Sequence, residues 1–499
     1  MDPLFEILLD LETAGVGATS KTLYRQLEAA ILDGRLVAGA QLPPTRGARA
    51  IFRVSRNTVL DVYEQLLHQG LVVARRGAGT FVAERGAALQ PREKKTPAGA
   101  PDPRLNPVWL SPGVQHAMGF WQDPPSASGA PADAGLVDFR PALVDTRLFP
   151  HEVFRRISAR QLRGLERKPA VLKSAQGNQG NYRLRQAIVG HIGRTRAVVS
   201  GPDSVLVTSG AQQAFDLLAR TLVIPNHTVV AIEDPGYPPL RAAFAAAGAK
   251  LVPIGVDEEG LLVDDIAADA TVICVTPSHQ FPLGAAMSMR RRAALLAWAR
   301  QRGAVIIEDD YDGEFRYGGS PMAALRSADA ADTVFYVGTF SKCMLPALRL
   351  GFIVAPDWAM PTLTAAKNCL DWHCSTPLQL AVAGFIVEGQ LTHHVRKLRE
   401  VYQKRRRLLL DLLRDDFAAW FDPIPSFYGM HVAVYARVPL DLELVTQALL
   451  ADHVKLHTLD RYYCGSPART GLVFGYGAVD LAEIRRGMAL LRLALLKLA

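Results

Sequence analysis

Cysteine is scarce in this chain, and no two cysteines stand at metal-ligand spacing. The five, Cys274, Cys343, Cys369, Cys374 and Cys464, are odd in number and scattered. That excludes a disulfide framework and a zinc-finger pattern and fits free thiols in a reducing compartment, so no metal is expected. Long apolar runs without charge are also missing, although 49% of the residues are hydrophobic, so neither a membrane span nor a membrane partner is expected. Met1–Glu6 lacks the basic start of a secretory signal, which predicts a cytoplasmic protein. No internal repeat is evident. A single core is excluded too, because 499 residues exceed what one domain holds.

Positive charge is present, and it is unevenly placed. Thr19–Arg85 carries ten Lys/Arg against five Asp/Glu, a net of +5 out of +8 for the whole chain. A compact basic module predicts a polyanion partner, most commonly nucleic acid. Within it, Leu23, Leu27 and Ile31 have helical spacing over Thr22–Ile31. Pro43-Pro44 blocks any helix before Thr45, which is expected to cap a second one through Phe52. Ser55 is expected to cap a third, with Val59, Val62, Tyr63 and Leu66 on its inner face and Gly70 as its stop. Two β-branched runs, Leu71–Ala74 and Thr80–Val82, are joined by Arg75-Arg76-Gly77-Ala78-Gly79. Three helices and a basic-tipped hairpin make a winged helix-turn-helix. The strings Leu42-Pro43-Pro44-Thr45-Arg46, Val54-Ser55-Arg56-Asn57-Thr58-Val59 and Gly77-Ala78-Gly79-Thr80-Phe81-Val82 closely resemble the GntR-type DNA-binding domain. The resemblance implies double-stranded operator DNA as partner. Arg56, Asn57 and Thr58 would then enter the major groove, and Arg46, Arg75 and Arg76 would meet phosphates or the minor groove. Leu60 stands where one branch of that superfamily has another basic residue, so base preference is not carried over.

Gly86–Ala134 holds nine Pro and five Gly in 49 residues, the composition of a linker. As a flexible coil it would span about 40 Å. Val108-Trp109-Leu110 and Phe120-Trp121 are unusual in a free linker and are expected to dock on a folded surface.

The chemistry sits further on. After the apolar run Thr333–Val337 comes Gly338-Thr339-Phe340-Ser341-Lys342, and then Arg349. A lysine delivered by a buried strand into a turn of small hydroxyl residues is poorly solvated, loses its proton readily and can form a Schiff base with an aldehyde. Thr339, Ser341 and Arg349 are equipment for holding a phosphate beside it. Three other strand ends agree. Val305–Glu308 runs into Asp309-Asp310-Tyr311, where a carboxylate can keep a pyridine nitrogen protonated and a phenol can bond the ring hydroxyl. Val205–Val207 runs into Thr208-Ser209-Gly210-Ala211 and a helical pattern, which aims N–H groups at a phosphate. Val229–Ile232 runs into Glu233-Asp234-Pro235-Gly236-Tyr237, placing an aromatic ring at a strand end. Together they indicate pyridoxal 5'-phosphate (PLP).

From about Gly135 onward the chain resembles a class I, fold-type I aminotransferase. The resemblance implies an α/β fold, with a mixed, mostly parallel sheet flanked by helices and a smaller C-terminal α/β subdomain. It assigns Lys342 as the Schiff-base lysine, Asp309 to the pyridine nitrogen, Tyr311 to O3′ and Tyr237 to ring stacking, with Ser209, Gly210, Ala211, Ser341 and Arg349 around the phosphate. The expected organisation is an arm (1–18), a winged helix (19–85), a linker (86–134) and a PLP domain (135–499).

A GntR-type head on an aminotransferase-like body is the layout of MocR-type transcriptional regulators, and Thr276-Pro277-Ser278-His279-Gln280-Phe281-Pro282-Leu283-Gly284 resembles that group. The resemblance implies a homodimer, head to tail and domain-swapped, that senses a small amine, an amino acid or PLP itself. Three departures from the enzyme pattern point away from turnover. Phe281 replaces an Asn that contacts the cofactor hydroxyl, Ala175 replaces a Tyr that reaches the partner's phosphate site, and Val473 replaces the arginine that clasps a substrate carboxylate. Arg461, in preference to Arg469, is the expected substitute. The main expectation is a PLP-dependent regulator without sustained turnover. The alternative is an active aminotransferase with an appended regulatory winged helix.

Overall fold

The computed structural model describes residues 20–83, 104–120, 135–167, 177–318, 322–465 and 469–498. The expected arm, most of the expected linker including Trp121, and Ala175 lie outside them. The chain divides into two compact units after Asp102.

In the first unit α1 (Ser20–Leu32) buries Leu23, Leu27, Ala30 and Ile31 on one face. The next helix, α2 (Thr45–Phe52), follows Pro44; Thr45 is its first helical residue and makes no side-chain cap, contrary to the expected capping role. Pro44 occupies the N-cap position itself and has no side-chain acceptor for the first-turn N–H groups. Ser55 does cap α3 (Arg56–His68), its hydroxyl accepting from Thr58 N at 3.0 Å. The hairpin pairs β1 (Val72–Arg75) antiparallel with β2 (Gly79–Val82). Leu23, Leu27, Ala48, Phe52, Val59, Val62, Leu66 and Val82 form one core. Burying each such side chain contributes about 1.5–3 kcal/mol, which is what lets so small a unit hold together.

The second unit begins earlier than the sequence suggested. Residues 104–120, expected to be linker, contain α4 (Pro112–Gly119), and Phe120 is 1% exposed. The docking expectation holds for Phe120, while Trp109 lines a cavity of the second unit and, like Leu110, remains about half exposed. Strand β3 (Val137–Asp138) then precedes α5 (His151–Glu166) and α6 (Tyr182–Arg196).

The main sheet has eight strands: β4 (Val205–Thr208), β5 (Val229–Asp234), β6 (Lys250–Asp257), β7 (Gly260–Leu261), β8 (Ala270–Val275), β9 (Val305–Asp310), β10 (Val334–Thr339) and β11 (Gly351–Val354). Their spatial order is β4-β11-β10-β9-β8-β5-β6-β7. Pairing is parallel from β10 through β9, β8 and β5 to β6, whereas β11 and β7 run antiparallel to their neighbours. β4, β8, β9 and β10 are almost wholly buried, as expected of strands covered by helices on both faces. One face packs on α7 (Ala211–Leu222) and α8 (Pro238–Ala246). α9 (Met289–Arg302) supplies Leu295 and Ala299 to a separate core with β5, β8 and β9 residues.

α10 (Met360–Leu370), α11 (Thr376–Val387) and the long α12 (Gln390–Asp416) lead to the smaller subdomain. There β12 (Phe421–Pro423), β13 (His431–Ala436), β15 (His457–Thr458) and β16 (Gly471–Gly475) form a sheet in the order β12-β13-β16-β15. Its core joins residues of α12, α13 (Leu442–Ala451) and α14 (Leu481–Leu498). β14 (Val454–Lys455) pairs in parallel with β3, tying this subdomain to the start of the unit.

Candidate functional site

Parallel strands deliver their carboxyl ends to one edge of a sheet, where crevices form. Here that edge opens on a cavity of about 930 Å³ lined by Ser209, Ala211, Tyr237, Asp309, Tyr311, Thr339, Ser341, Lys342 and Arg349. Four segments between Ser209 and Arg349 thus supply one site, and the expected cofactor residues converge there. Gly210 is not part of the lining surface, but its missing Cβ would fall 3.0 Å from Arg349 Nη2.

The strand register separates the two neighbouring acids. Successive side chains on β9 point to opposite faces. Asp310 is fully committed: Arg196 Nε donates to it at 2.6 Å, Arg196 Nη2 at 3.0 Å and Tyr336 OH at 2.6 Å. Asp309, 5% exposed, lines the cavity, and its Oδ1 is buried with no hydrogen-bond partner. Burial, then the nearby Asp310, Asp312 and Glu233 carboxylates, pushes its pKa well up, with Lys342 opposing. An interior carboxylate oxygen without a donor is costly, and a protonated ring nitrogen would supply the donor.

Lys342 follows β10, and its Nζ donates to Ala142 O at 2.6 Å. Burial lowers its pKa to about 8, against the charges of Asp312 and Asp309, and Arg349 adds a smaller lowering. A lysine with that pKa is nucleophilic near neutrality.

The phosphate cup is built from small residues and one cation. Gly210 (φ +82°, ψ 176°) turns β4 into α7, whose first turn presents unbonded N–H groups. Thr339 Oγ1 donates to Ser341 Oγ at 3.0 Å and accepts from Ser341 N at 3.1 Å. Arg349 Nη2 donates to Ser209 O at 3.3 Å. A layer behind this went unnoticed in the sequence. Lys367, fully buried, donates to Gln213 Oε1 at 2.7 Å, and the same oxygen accepts from Ser209 N at 2.7 Å. The orphaned Asp309 oxygen and the cup closed by Gly210 fit a pyridine ring carrying a phosphate.

Tyr311 OH lies 2.8 Å from His279 Nδ1, which is itself 2.9 Å from Asp312 Oδ2. Neither His279 nor Asp312 was assigned a role from sequence. His279 does sit in the string Thr276–Gly284, so a signal was present without a contact to interpret it. Among the described residues, His279, Asp312 and His431 also bring three ligand-type atoms within 4.8 Å, a grouping that linear spacing did not reveal. Glu233 is a second hidden acid. It accepts from Thr276 N at 3.2 Å and Thr276 Oγ1 at 2.5 Å, and burial raises its pKa to about 7. Tyr237 makes edge contacts with Phe281 (5.5 Å) and Phe120 (6.2 Å).

The departures are visible as geometry. Phe281 lines the cavity 5.5 Å from the Tyr311 ring and offers no hydrogen bond. Val473 is fully buried in a cluster with Phe120, Phe281, Leu459 and Tyr462. Arg469 is stacked 3.5 Å over the Tyr435 ring. Arg461 is not part of the cavity lining. Its carbonyl accepts from His116 Nε2 of α4 at 2.9 Å, and its Nε is buried without a partner.

In the first unit Arg56 and Asn57 stand exposed in the first turn of α3, while the Thr58 hydroxyl lies 2.8 Å from Ser55 Oγ. Arg46 is exposed at the start of α2, and Arg76 is exposed in the hairpin turn. Arg75, also exposed, lies 4.9 Å over the Phe81 ring.

Residues 19–82 match the bacterial regulatory proteins of the gntR family, and residues 153–485 match aminotransferase class I and II. The chain is 34% identical over 483 residues to the probable rhizopine catabolism regulatory protein MocR of Rhizobium meliloti, covering 96% of this chain and 94% of that one. It is 31% identical to the pyridoxine biosynthesis transcriptional regulator PdxR of Corynebacterium glutamicum, covering 93% of each. Among solved structures, LysN, an α-aminoadipate aminotransferase from Thermus thermophilus, is 27% identical with a TM-score of 0.66 over 73% of this chain and 93% of that one.

Proposed function

Because the chain belongs to the MocR-type regulators, in which a gntR-family domain precedes a class I and II aminotransferase domain, we propose that its second unit senses a small amine or amino acid and thereby alters operator binding by the first. The protein is a transcriptional regulator, and its cofactor is PLP. The observation that carries the sensing reading is the pairing, in one cavity, of a lysine poised near neutrality with an unpartnered buried carboxylate oxygen.

PLP supplies, when bound, an aldehyde that a lysine or an amine can join and a ring that accepts electron density. The protein's own groups divide the remaining work. Lys342 presents to the cavity an amine that deprotonates far more readily than an ordinary lysine. Arg349, Ser209, Ser341 and the first turn of α7 hold the phosphate, and Lys367 fixes that turn through Gln213. Asp309 would share a proton with the ring nitrogen. Tyr311, kept in place by His279 and Asp312, would bond the ring hydroxyl, and Tyr237 would offer its ring for stacking. With its amine free, Lys342 could act as a base in the cavity, so a slow proton shift would be chemically open. Phe281 and Val473 withhold contacts that position a substrate for rapid turnover. That weighs against the second reading, an active aminotransferase with a regulatory head.

On DNA, Arg56 and Asn57 read base edges from the first turn of α3, and Arg46, Arg75 and Arg76 neutralise phosphates. The regulator works as a homodimer, head to tail. Large apolar side chains left exposed on the second unit, such as Tyr182 and Trp372, suit burial between subunits.

Two assays test this reading. Borohydride reduction of the PLP-loaded protein and peptide mapping should place the label on Lys342. Purified protein should also shift DNA from its own upstream region while showing no steady-state amino-group transfer. A label elsewhere, or brisk transfer without DNA binding, contradicts it.

A further inference from the structure

A second, smaller cavity of about 220 Å³ adjoins the cofactor cavity, and the two share no lining residue. They meet at one contact: Tyr311, which lines the larger, places its hydroxyl 2.8 Å from Nδ1 of His279, which lines the smaller. The end of α6, the turns after β8 and β9, α12 and the turn before β13 all contribute to the smaller cavity. Its lining includes Arg194, Arg196, Arg316 and Arg399 but only one acid, Asp312.

The charges there do not balance. Arg196 is spent on Asp310, at 2.6 and 3.0 Å, and on Met322 O at 2.6 Å. Asp312 is held by His279, 2.9 Å from Nδ1. The remaining three arginines keep unused donors. Arg399 donates through Nε to Glu314 O at 2.5 Å, and Arg316 through Nε to Gly318 O at 2.5 Å. Arg316 also lies 4.9 Å over the Tyr428 ring. These contacts fix each guanidinium by one edge, while its Nη groups bond no acceptor among the described residues. Arg194 bonds none either. Glu314, a nearby acid, turns its carboxylate to His191 Nε2 at 3.7 Å. His279 adds a second deficit, since it is 2% exposed and its Nε2 is buried without a hydrogen-bond partner. Clustered cations and an orphaned interior nitrogen both cost stability until a ligand answers them.

We infer that this cavity is a second ligand site, which binds one phosphate dianion through the free guanidinium edges of Arg194, Arg316 and Arg399 with His279 in its wall. Planar guanidiniums match phosphate oxygens in paired, charge-assisted hydrogen bonds, and a doubly charged anion offsets the surplus that the protein leaves there. The ligand is free phosphate or the phosphate end of a small ester. The inference stands apart from the sensing reading, because no residue of the cofactor cavity takes part in the binding.

The test is calorimetric titration of PLP-loaded protein, whose phosphate cup is already filled, with inorganic phosphate and with glycerol 3-phosphate at matched ionic strength. One ion per chain should bind saturably while the cofactor absorption band persists. Tighter binding of the free ion or of the ester identifies which of the two the cavity prefers. Arg316→Gln and Arg399→Gln should each raise the dissociation constant by about tenfold or more. Arg194→Glu reverses the charge of an exposed side chain that makes no contact, so it should weaken binding as much and serves where the other two variants do not fold. Arg302→Gln, exposed at the end of α9 and outside the cavity, should leave the constant unchanged. No saturable binding below about 10 mM, or a constant that Arg316→Gln and Arg194→Glu leave unchanged, overturns the assignment. Binding seen only in apo-protein, or at the expense of the cofactor band, puts the ion in the cup at Arg349 and overturns it as well.

Discussion

One methyl group at position 210 probes the phosphate cup. Gly210 sits at φ +82° and ψ 176°, a region almost closed to other residues, so alanine there costs about 1–3 kcal/mol of strain. Its Cβ would lie 3.0 Å from Nη2 and 3.2 Å from Cζ of Arg349, tight enough to push the guanidinium aside by a few tenths of an ångström. A charge-assisted hydrogen bond is worth about 1.5–3 kcal/mol, and if Arg349 holds the phosphate as proposed, losing one such bond should raise the PLP dissociation constant by about 10- to 150-fold. Gly303→Ala is the control. That glycine ends α9 at φ +63° with nothing within 4 Å of an added Cβ, so it should lose about 1 kcal/mol of stability and no cofactor affinity. Fluorescence titration of apo-protein with PLP, with melting temperatures alongside, separates the two. If Gly210→Ala binds PLP like wild type, the phosphate does not lie under Gly210 and Arg349.

The remaining predictions concern Lys342 and the DNA-binding unit. Burial sets Lys342 at about 8 against an ordinary 10.5, and only the neutral amine attacks an aldehyde. The rate of covalent PLP uptake should therefore rise about tenfold per pH unit below 8 and level off above it; a midpoint near 10.5 would refute the buried setting. Arg56→Ala should cost about 1–3 kcal/mol on the cognate operator and flatten base preference. Arg76→Ala should weaken all sequences alike and reduce the salt slope by about one unit. Equal, sequence-blind losses from both changes in a binding assay would show that α3 does not read the major groove.

Strand ends were the most legible part of the sequence, because a buried β-branched run followed by Gly, Asp or Lys leaves a local signature. β9, β10 and β4 run one or two residues past the expected ends, so Asp309 and Asp310 lie within β9 rather than beyond it. Their separation into a cavity carboxylate and an Arg196 partner depends on a residue 114 positions away, which no local pattern encodes. Lys367 behind Ser209 and His279 beside Tyr311 escaped notice for the same reason. α4 was hidden by composition, since its proline and two glycines resemble linker. Phe120 docks because Tyr237, His457 and Tyr462 assemble around it from two distant segments.

The central claim is that amine binding at Lys342 is read out as operator affinity. The amine that most strongly shifts the cofactor absorption band should be added to wild type and to Lys342→Ala, and operator dissociation constants measured in each. Wild type should change its affinity by a factor no larger than the amine's own preference between the two DNA-binding states, and Lys342→Ala should not respond. Unchanged operator affinity in wild type, together with steady interconversion of amine and keto acid at ordinary enzymatic rates, would contradict the account.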